Sequence, residues 1–493
     1  MKEQKTSFWH KDSTRSVIAS LLSILIGLLV GAVLILIVGV SNKSLGASSV
    51  WDGFRLVFAG LFSTGRTASG VLTWGFNSTN FGNMLFRATP LILTGLSVAA
   101  ASMNGLFNIG APGQYLAGTC ATLFIALSIP SEQVSPVIIW LLAFLGGMAA
   151  GALWGAIPGM LKALLNINEV IACIMTNWIA ANVVTWLFDI SNLKNMVENT
   201  KSGYIYKTSY NGVATAKMGL DKLFPGSQVN GGILVAILIA VLVYILINRT
   251  TLGYELKACG ANRHAARYAG INDKRDIVLS MAIAGALSGG GAALYWLAGN
   301  TEFYWSTYQT LPSAGFNGIP VALLAVNNPI GVIFTGIFMA MLDIVGVQLT
   351  GYTAYNEYIT DVIISVIVYL SAFSGGHHGP QAGNRERGQG SMTFLIQQTL
   401  LYAVPLMIVA LAGVFAERSG IINLALEGIM IFGAFIGVLF VRNMQSVQAI
   451  ANAYANKQWL TLQGLELLAM LVAAALGALF SLLLSFASIN LKA

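Results

Sequence analysis

The segment 253–271 gathers charged and polar side chains in an otherwise apolar chain. It reads Gly-Tyr-Glu-Leu-Lys-Ala-Cys-Gly-Ala-Asn-Arg-His-Ala-Ala-Arg-Tyr-Ala-Gly-Ile. Asn262 is a good N-cap for a short helix, and Gly260 and Gly270 permit tight turns on either side of it. The predicted helix carries Arg263, His264, Ala265, Ala266 and Arg267. A small, rigid, basic helix of this kind suits the docking of a partner outside the membrane.

The elements that must position this helix are membrane spans. Hydrophobic residues make up 56% of the 493 residues and charged residues only 9%, against about 25% in ordinary soluble domains. A helix needs roughly 20 apolar residues to cross a bilayer. The sequence therefore predicts an all-α, polytopic transmembrane bundle. The predicted spans lie near 17–40, 83–102, 106–128, 135–165, 168–190, 232–248, 277–299, 329–350, 355–374, 396–416, 421–441 and 461–488.

The run 313–327 is shorter than the others and is interrupted by helix breakers, namely Pro312, Gly315, Gly318 and Pro320. It is either a full span or a re-entrant half-helix. Counting both kinds, we expect about 9–10 spans in 1–374 and about 3 more in 393–493, with re-entrant half-helices. The two interpretations of 313–327 place the second half of the chain in opposite orientations, and both stay open at this point.

Basic residues predict the topology rather than nucleic-acid binding, although the formal net charge is +7. Six of the 26 Lys and Arg residues fall in 249–275 and four in the first sixteen residues, which places both segments in the cytoplasm. The loop 249–276 is then cytoplasmic. The loop 191–231 is extracellular, although it carries five lysines. The first apolar run lacks a cleavage pattern of small residues and is expected to remain as a signal anchor.

Two stretches of the chain carry the same Gly-x-x-Asn-x-x-x-x-Gly signature at the same distance after a proline. Pro90 precedes Gly105-Leu-Phe-Asn108-Ile-Gly-Ala-Pro-Gly113, and Pro405 precedes Gly420-Ile-Ile-Asn423-Leu-Ala-Leu-Glu-Gly428. Asparagine and glycine at a break between spans suit irregular backbone that is buried in protein or lines a water-filled path. The repeat therefore indicates a translocation pathway and two homologous units.

These motifs carry a resemblance to a known family. The run Asn108-Ile-Gly-Ala-Pro-Gly113-Gln114, followed by 253–271, resembles the permease subunits of ABC importers in the branched-chain amino acid, simple sugar and nucleoside family, the nucleoside type above all. The resemblance covers 81–374. Pro112 departs from it, because nucleoside-type permeases usually carry an acidic residue there, as the second copy does with Glu427. The positions that match the family's cytoplasmic loop are Gly260, Asn262, Ala265, Ala266, Gly270 and Ile271.

The segment 391–493 resembles the beginning of the partner permease in the same family. It stops at Ser488-Ile-Asn490, which is similar to Asn166-Ile-Asn168 in the first copy. The resemblance implies a complete permease domain in 1–374, a linker rich in Gly, Pro and charge in 375–392, and a truncated second permease domain in 393–493. A natural fusion, a frameshift and a truncation are alternative origins of this arrangement.

A permease subunit of this family implies no catalytic residue, cofactor or metal in the chain itself. ATP would be bound by a separate ABC ATPase, since the chain has no Gly-x-x-x-x-Gly-Lys-[Ser/Thr] loop. The other implied partners are a second homologous permease, an extracellular substrate-binding lipoprotein and the lipid of a prokaryotic cytoplasmic membrane. The residues assigned to coupling with the ATPase are Gly260, Asn262, Arg263, His264, Ala265, Ala266, Arg267 and Gly270.

Nucleoside import by alternating access is the function that the resemblance implies. A neutral nucleoside calls for a path lined by small residues, amides and aromatic rings, although each such residue could instead be a contact between helices. The candidates for this path are Asn108, Gly110, Gly113, Gln114, Asn177, Trp178 and Asn317. A simple sugar or a branched-chain amino acid is the alternative substrate within the same family.

Asp343 and Asp361 support a different mechanism, because ionisable groups inside apolar runs are costly and often functional. A proton-coupled secondary transporter would use such carboxylates. It would leave 253–271 without a purpose, which weakens this alternative.

The chain offers little for enzyme or metal chemistry. It contains no His-Glu-x-x-His, Gly-x-Ser-x-Gly or Cys-x-x-Cys motif. Cys120, Cys173 and Cys259 have no paired spacing, and His377 and His378 have no acidic or thiol partner at ligand spacing. No disulfide framework and no metal site are predicted.

Overall fold

The computed structural model describes residues 12–41, 47–198, 201, 203–304, 310–356, 358–374, 426–445, 447 and 459–490. The chain divides into two compact units, Met1–Gln381 and Ala382–Ala493. In the described ranges, helices form nearly all of the regular structure, and the strands form two short two-stranded sheets. The predicted all-α architecture is confirmed.

The first unit consists of fourteen α-helices, two short 3-10 helices (Gly60–Phe62 and Thr208–Asn211) and four short strands in its described part. The helices are α1 (Asp12–Ser41), α2 (Ala47–Ala59), α3 (Ser78–Met103), α4 (Ala111–Ser128), α5 (Pro136–Leu165), α6 (Glu169–Asp189), α7 (Leu220–Leu223), α8 (Gly232–Arg249), α9 (Thr251–Ala261), α10 (Arg263–Tyr268), α11 (Asp273–Trp296), α12 (Ser313–Leu324), α13 (Pro329–Tyr352) and α14 (Tyr358–Ser374). The strands are β1 (Ser63–Arg66), β2 (Leu72–Trp74), β3 (Tyr204–Ile205) and β4 (Phe303–Tyr304). The sequence made no prediction for α2 or for the hairpin of β1 and β2.

Eight helices in the described ranges are long and apolar enough to cross a membrane. They contain Ser20–Gly39, Ser78–Met103, Pro136–Leu165, Glu169–Asp189, Gly232–Arg249, Asp273–Trp296, Pro329–Tyr352 and Leu462–Leu479. The protein is therefore a multi-pass membrane protein. Three further predicted spans are not among the eight. The spans 106–128 and 355–374 correspond to α4 and α14, and the span 421–441 overlaps the helix Leu426–Gln445. The predicted span 396–416 lies outside the described residues.

The helix α12 settles the alternatives for 313–327. It has 12 residues, and at about 1.5 Å per residue it is roughly 18 Å long, against about 30 Å for a bilayer core. It is therefore a half-helix. The chain reverses directly after it, because Val326 and Asn327 adopt the left-handed backbone conformation, with φ of 52° and 56°, and Asn328 caps α13.

Glycines allow α4, α5 and α11 to pack backbone against backbone. A Cβ atom on Gly285 would lie 2.1 Å from the carbonyl oxygen of Gly151, and one on Gly289 would lie 2.3 Å from that of Gly147. A Cβ on Gly118 would lie 2.5 Å from the Cα of Gly289. Helices in lipid associate largely through such close packing, because lipid tails are as apolar as the side chains. Larger residues at these positions would force the three helices apart.

The polar loop 191–231 has a defined structure at one end of this helix bundle. Its strand β3 pairs in antiparallel register with β4, which follows α11 in the chain. Asn211 donates a hydrogen bond of 2.8 Å to the carbonyl of Ala126 near the end of α4. Lys201 forms a 3.1 Å ion pair with Glu302 beside β4. These contacts attach the loop to the ends of α4 and α11.

The described helices of the second unit are Leu426–Gln445 and Trp459–Asn490. They face each other through small residues, since a Cβ on Gly437 would lie 3.6 Å from the Cβ of Ala473. The linker 375–392 and the signature residues 420–425 lie outside the described residues. The domain organisation with boundaries at 374 and 393 stays a prediction.

Candidate functional site

Residues 249–276 fold into two short helices that connect α8 to α11. The hydroxyl of Thr250 caps α9 by accepting a hydrogen bond from the backbone N–H of Gly253 at 3.1 Å. Asn262 caps α10, because its Oδ1 accepts hydrogen bonds from the N–H groups of His264 and Ala265, both at 3.0 Å. The predicted N-cap and the predicted short basic helix are both present.

The two glycines beside α10 have different roles, and the prediction is right for one of them. Gly270 has a φ of 85° and lies in the turn that follows α10. Gly260 was predicted to form a turn, but it is part of the last turn of α9. A Cβ there would lie 2.5 Å from the carbonyl oxygen of Met103. Gly260 therefore allows α9 to press against the end of α3.

Two ion pairs fix α10 to the first residue of α11. Asp273 is almost fully buried, with 4% of its surface exposed. Its Oδ2 lies 2.5 Å from the Nε of Arg263 and 2.7 Å from the Nη2 of Arg267. The hydrogen bond to Asp273 raises the pKa of Arg267 above its ordinary value. Because both cations come from α10, this helix cannot tilt without moving α11 or breaking the ion pairs.

The opposite face of α10 is open to solvent. Ala266 is buried against the protein, while His264 and Ala265 are exposed. Tyr268 is 98% exposed. The inner side of this basic helix is fixed by ion pairs, and its outer side presents an exposed aromatic ring. This is the form of a docking element for another protein.

A second candidate site lies where the chain returns from α3 to α4, and it is built from amide side chains. The Nδ2 of Asn108 donates to the Oε1 of Gln114 at 2.8 Å, and the Nε2 of Gln114 donates back to the Oδ1 of Asn108 at 3.0 Å. Asn108 also donates to the hydroxyl of Ser97 on α3 at 2.9 Å. Both amides are buried. The pair satisfies polar groups that would otherwise be costly inside a membrane.

Asn177 extends this cluster to α6. Its Oδ1 accepts from the N–H of Gly113 at 2.9 Å, and its Nδ2 donates to the carbonyl of Ile109 at 2.9 Å. Gly110 donates its N–H to the Oδ1 of Asn108 at 3.1 Å. The irregular backbone before α4 is thus held by side-chain hydrogen bonds.

The first turns of α4 and α12 meet beside this cluster. A Cβ on Gly315 would lie 2.5 Å from the Cα of Pro112, and one on Gly318 would lie 2.6 Å from the backbone of Thr94. Asn317 lies between these two glycines and is half-buried. The N-termini of two helices, one of them a half-helix, therefore converge inside the bundle.

Comparison with known proteins identifies the family. The family described as branched-chain amino acid transport system / permease component matches residues 80–372 and 395–492. The chain belongs to this permease family. No solved structure matches the chain.

Curated relatives of this permease include proteins of Bacillus subtilis and Lactococcus lactis. The chain is 34% identical to the guanosine ABC transporter permease protein NupP of Bacillus subtilis over 355 residues, which cover 72% of this chain and 92% of the relative. It is 33% identical to the nucleoside ABC transporter permease protein NupB of Lactococcus lactis over 360 residues, 73% of this chain and 92% of the relative. It is 44% identical to the guanosine ABC transporter permease protein NupQ of Bacillus subtilis over 102 residues, 21% of this chain and 28% of the relative.

The sequence analysis assigned one set of residues of the permease to the substrate pathway. The structure places these residues in different environments. Asn108, Gln114 and Asn177 belong to one buried network, together with the backbone of Gly110 and Gly113. Trp178 faces away from this network on the outer side of α6 and is 54% exposed. Their role in a substrate pathway stays a prediction.

Two residues of the segment 249–276 escaped the sequence analysis. Asp273 was overlooked because its pairing with Arg263 and Arg267 depends on how α10 folds back. Tyr268 was overlooked because no pattern marks a single aromatic residue as exposed. The signal that could have found Asp273 is an acidic residue directly after the Asn272 cap of α11.

The acids proposed for proton coupling are not left free in this permease. Asp343 in α13 and Asp361 in α14 each interact with other protein groups. In the described ranges, no cluster of three or more His, Cys, Asp or Glu side chains could hold a metal ion. His377 and His378 lie outside the described residues.

Proposed function

We propose that the chain is a membrane permease subunit of an ATP-driven ABC importer that moves nucleosides by alternating access. The observation that carries this proposal is the joint between Asp273 and the two arginines of α10. It connects an exposed docking helix rigidly to a helix that crosses the membrane. The nucleoside class is supported by relatives whose names give guanosine or nucleosides as substrates.

The ATPase is a separate chain in this proposal, and no cofactor is bound by the permease itself. ATP-driven movement of the ATPase would push on the exposed side of α10. Asp273 passes that push to α11, whose glycines contact α5 at Gly151. Coupling through packed elements of this kind requires two discrete arrangements of rigid parts.

The remaining partners are a second homologous permease, a substrate-binding lipoprotein on the outer face and the surrounding lipid. In this arrangement, 249–276 is cytoplasmic and 191–231 is extracellular. Residues 1–374 form one permease domain, and 393–493 form the first part of a second one. The ATPase would contact α10 and the residues around it. The lipoprotein would contact the folded loop 191–231, which the pairing of β3 with β4 stabilises.

The substrate pathway is proposed to pass the convergence of α4 and α12. Asn108, Gln114 and Asn177 would hold the backbone beside the pathway. Gly110 and Gly113 would add no side-chain volume to it. Asn317 would lie along it, and Trp178 would meet the solute from the exposed face of α6. Positive helix ends and amides suit a neutral polar solute, because they offer hydrogen bonds without fixed charge.

Uptake assays test the proposal. Cells that carry the full chain and the other subunits of its transporter are given radiolabelled guanosine, adenosine, uridine, ribose and leucine. The parent is compared with a variant in which Arg263, His264 and Arg267 are all alanine, and with Lys274→Ala. Lys274 is an exposed cation beside Asp273 and controls for loss of charge.

We expect nucleoside uptake that needs ATP, survives collapse of the proton gradient, persists in Lys274→Ala and is lost in the triple variant. Uptake that follows the proton gradient and is as fast in the triple variant as in the parent would overturn the proposal. It would direct attention to Asp343 and Asp361. Uptake of ribose or leucine in place of nucleosides would overturn the substrate class.

A further inference from the structure

One face of α6 is exposed along its whole length and carries an amide at its middle. The helix has 21 residues, which at about 1.5 Å each matches the roughly 30 Å core of a bilayer. Asn182 is exposed and lies just past the midpoint of the helix, and Trp178 lies one turn before it on the same face. Both side chains are therefore near the bilayer midplane.

The rest of this face is apolar. Ile171, Met175 and Ile179 are 60%, 61% and 50% exposed. Asn177 has a different environment, because it points inward and both ends of its amide are hydrogen-bonded. Asn182 is thus a polar exception on a face that would otherwise suit lipid.

The polar groups of Asn182 and Trp178 are only partly satisfied. The Nδ2 of Asn182 donates to the carbonyl of Trp178 at 2.8 Å. The second N–H of this amide, its Oδ1 and the indole N–H of Trp178 make no hydrogen bond within the described part of the chain. Hydrocarbon offers no partner to such groups, so lipid contact at the midplane would be unfavourable.

We infer that Trp178 and Asn182 contact the transported nucleoside, an inference that rests on the function proposed above. The indole face of Trp178 stacks on the planar base. Base stacking on aromatic side chains tolerates any base, since every base has a π-face. Asn182 presents one free N–H donor and one free oxygen acceptor to the edge of the base.

This pair explains selection for the base rather than for the sugar. Every nucleobase edge offers a donor or an acceptor to a single amide, so purine and pyrimidine nucleosides are both accepted. Free ribose has no planar ring to stack on Trp178. The neutral pair also disfavours charged solutes, because it supplies no counter-ion at the midplane.

Four variants of the full chain test this inference in the uptake assay with radiolabelled guanosine, uridine and ribose. Asn182→Leu removes the hydrogen bonds at similar volume. Trp178→Ala removes the stacking ring, and Trp178→Phe keeps a ring without the N–H. Trp186→Ala is the matched control, because Trp186 is 60% exposed on the same helix but near its end.

We expect the KM for guanosine and uridine to rise about tenfold or more in Asn182→Leu and in Trp178→Ala, with a smaller rise in Trp178→Phe. The KM of Trp186→Ala should equal that of the parent. Co-purification of the ATPase and the second permease with tagged Asn182→Leu shows whether the assembled transporter is intact, independently of transport.

Two results would overturn the inference. In the first, Asn182→Leu keeps the parental KM but no longer co-purifies with the second permease, which makes this face a subunit interface. In the second, neither property changes, which makes it a lipid contact. A parent that shows no nucleoside uptake would instead refute the proposed function, so the two failures are distinguishable.

Discussion

The Nη2 of Arg267 lies 2.7 Å from the Oδ2 of Asp273, and this pair joins α10 to a helix that crosses the membrane. Arg267 is the exposed partner, with 58% of its side chain accessible, whereas the side chain of Asp273 is only 6% accessible. A buried carboxylate with exposed arginines on one side holds the small helix at a fixed angle. Rigidity at this joint is what force transmission requires.

Asp273→Asn should uncouple ATP hydrolysis from uptake. The substitution removes the carboxylate charge that both arginines of α10 face, so uptake per ATP hydrolysed should fall roughly fivefold. The ratio is measured with the complete transporter in vesicles. Lys274→Ala serves as the control. An unchanged ratio in Asp273→Asn would show that this joint does not transmit the movement.

Gly260→Ala and Gly270→Ala should have unequal effects. At Gly270 the added Cβ meets nothing within 4 Å, so only the backbone strain of a φ of 85° remains, about 1 kcal/mol. At Gly260 the Cβ would lie 2.5 Å from the carbonyl oxygen of Met103. Gly260→Ala should therefore lower the melting temperature and the uptake rate further than Gly270→Ala. Equal melting temperatures would contradict the close contact of α9 with α3.

The sequence predicted local features of the candidate site better than its long-range ones. The Asn262 cap depends on neighbours two and three residues away, so its sequence context was enough. The pairing of Asp273 with Arg263 depends on the turn between two helices, and no pattern specifies it. The breakers from Pro312 to Pro320 marked 313–327 as unusual, but only the 12-residue length of α12 in the structure shows a half-helix.

Asn177 and Trp178 show a second limit of sequence analysis. Both were assigned to one pathway because both suit a nucleoside. Successive residues of an α-helix point about 100° apart, so they need not face the same space. In the structure, Asn177 is buried in the amide network and Trp178 is exposed. Residue type alone identified side chains that suit a nucleoside. The direction of each side chain depends on its angular position on α6, which the sequence analysis did not consider.

The thiol of Cys259 should react slowly with maleimide at neutral pH. Burial, followed by the nearby Asp276 carboxylate, raises its pKa to about 11. The reactive thiolate is therefore scarce below pH 11, and the labelling rate should climb steadily as the pH rises towards that value. The measurement uses a variant with Cys120→Ser and Cys173→Ser. Labelling at pH 7.5 as fast as that of a free thiol would mean that α9 opens away from Asp276.

The reciprocal pair of Asn108 and Gln114 should show strong coupling in a double-mutant cycle. Asn108→Leu leaves the Gln114 amide buried without its partner, which costs about 1–3 kcal/mol, and Gln114→Leu has the same effect on Asn108. Combining both substitutions removes the orphaned groups, so the double variant should lose less stability than the two singles together. Thermal unfolding of the purified protein in detergent measures each value. The Ser97 hydroxyl also loses its donor in Asn108→Leu, so Ser97→Ala in the same background measures that contribution separately. Additive losses would mean that these amides act independently and that the backbone before α4 is held by other contacts.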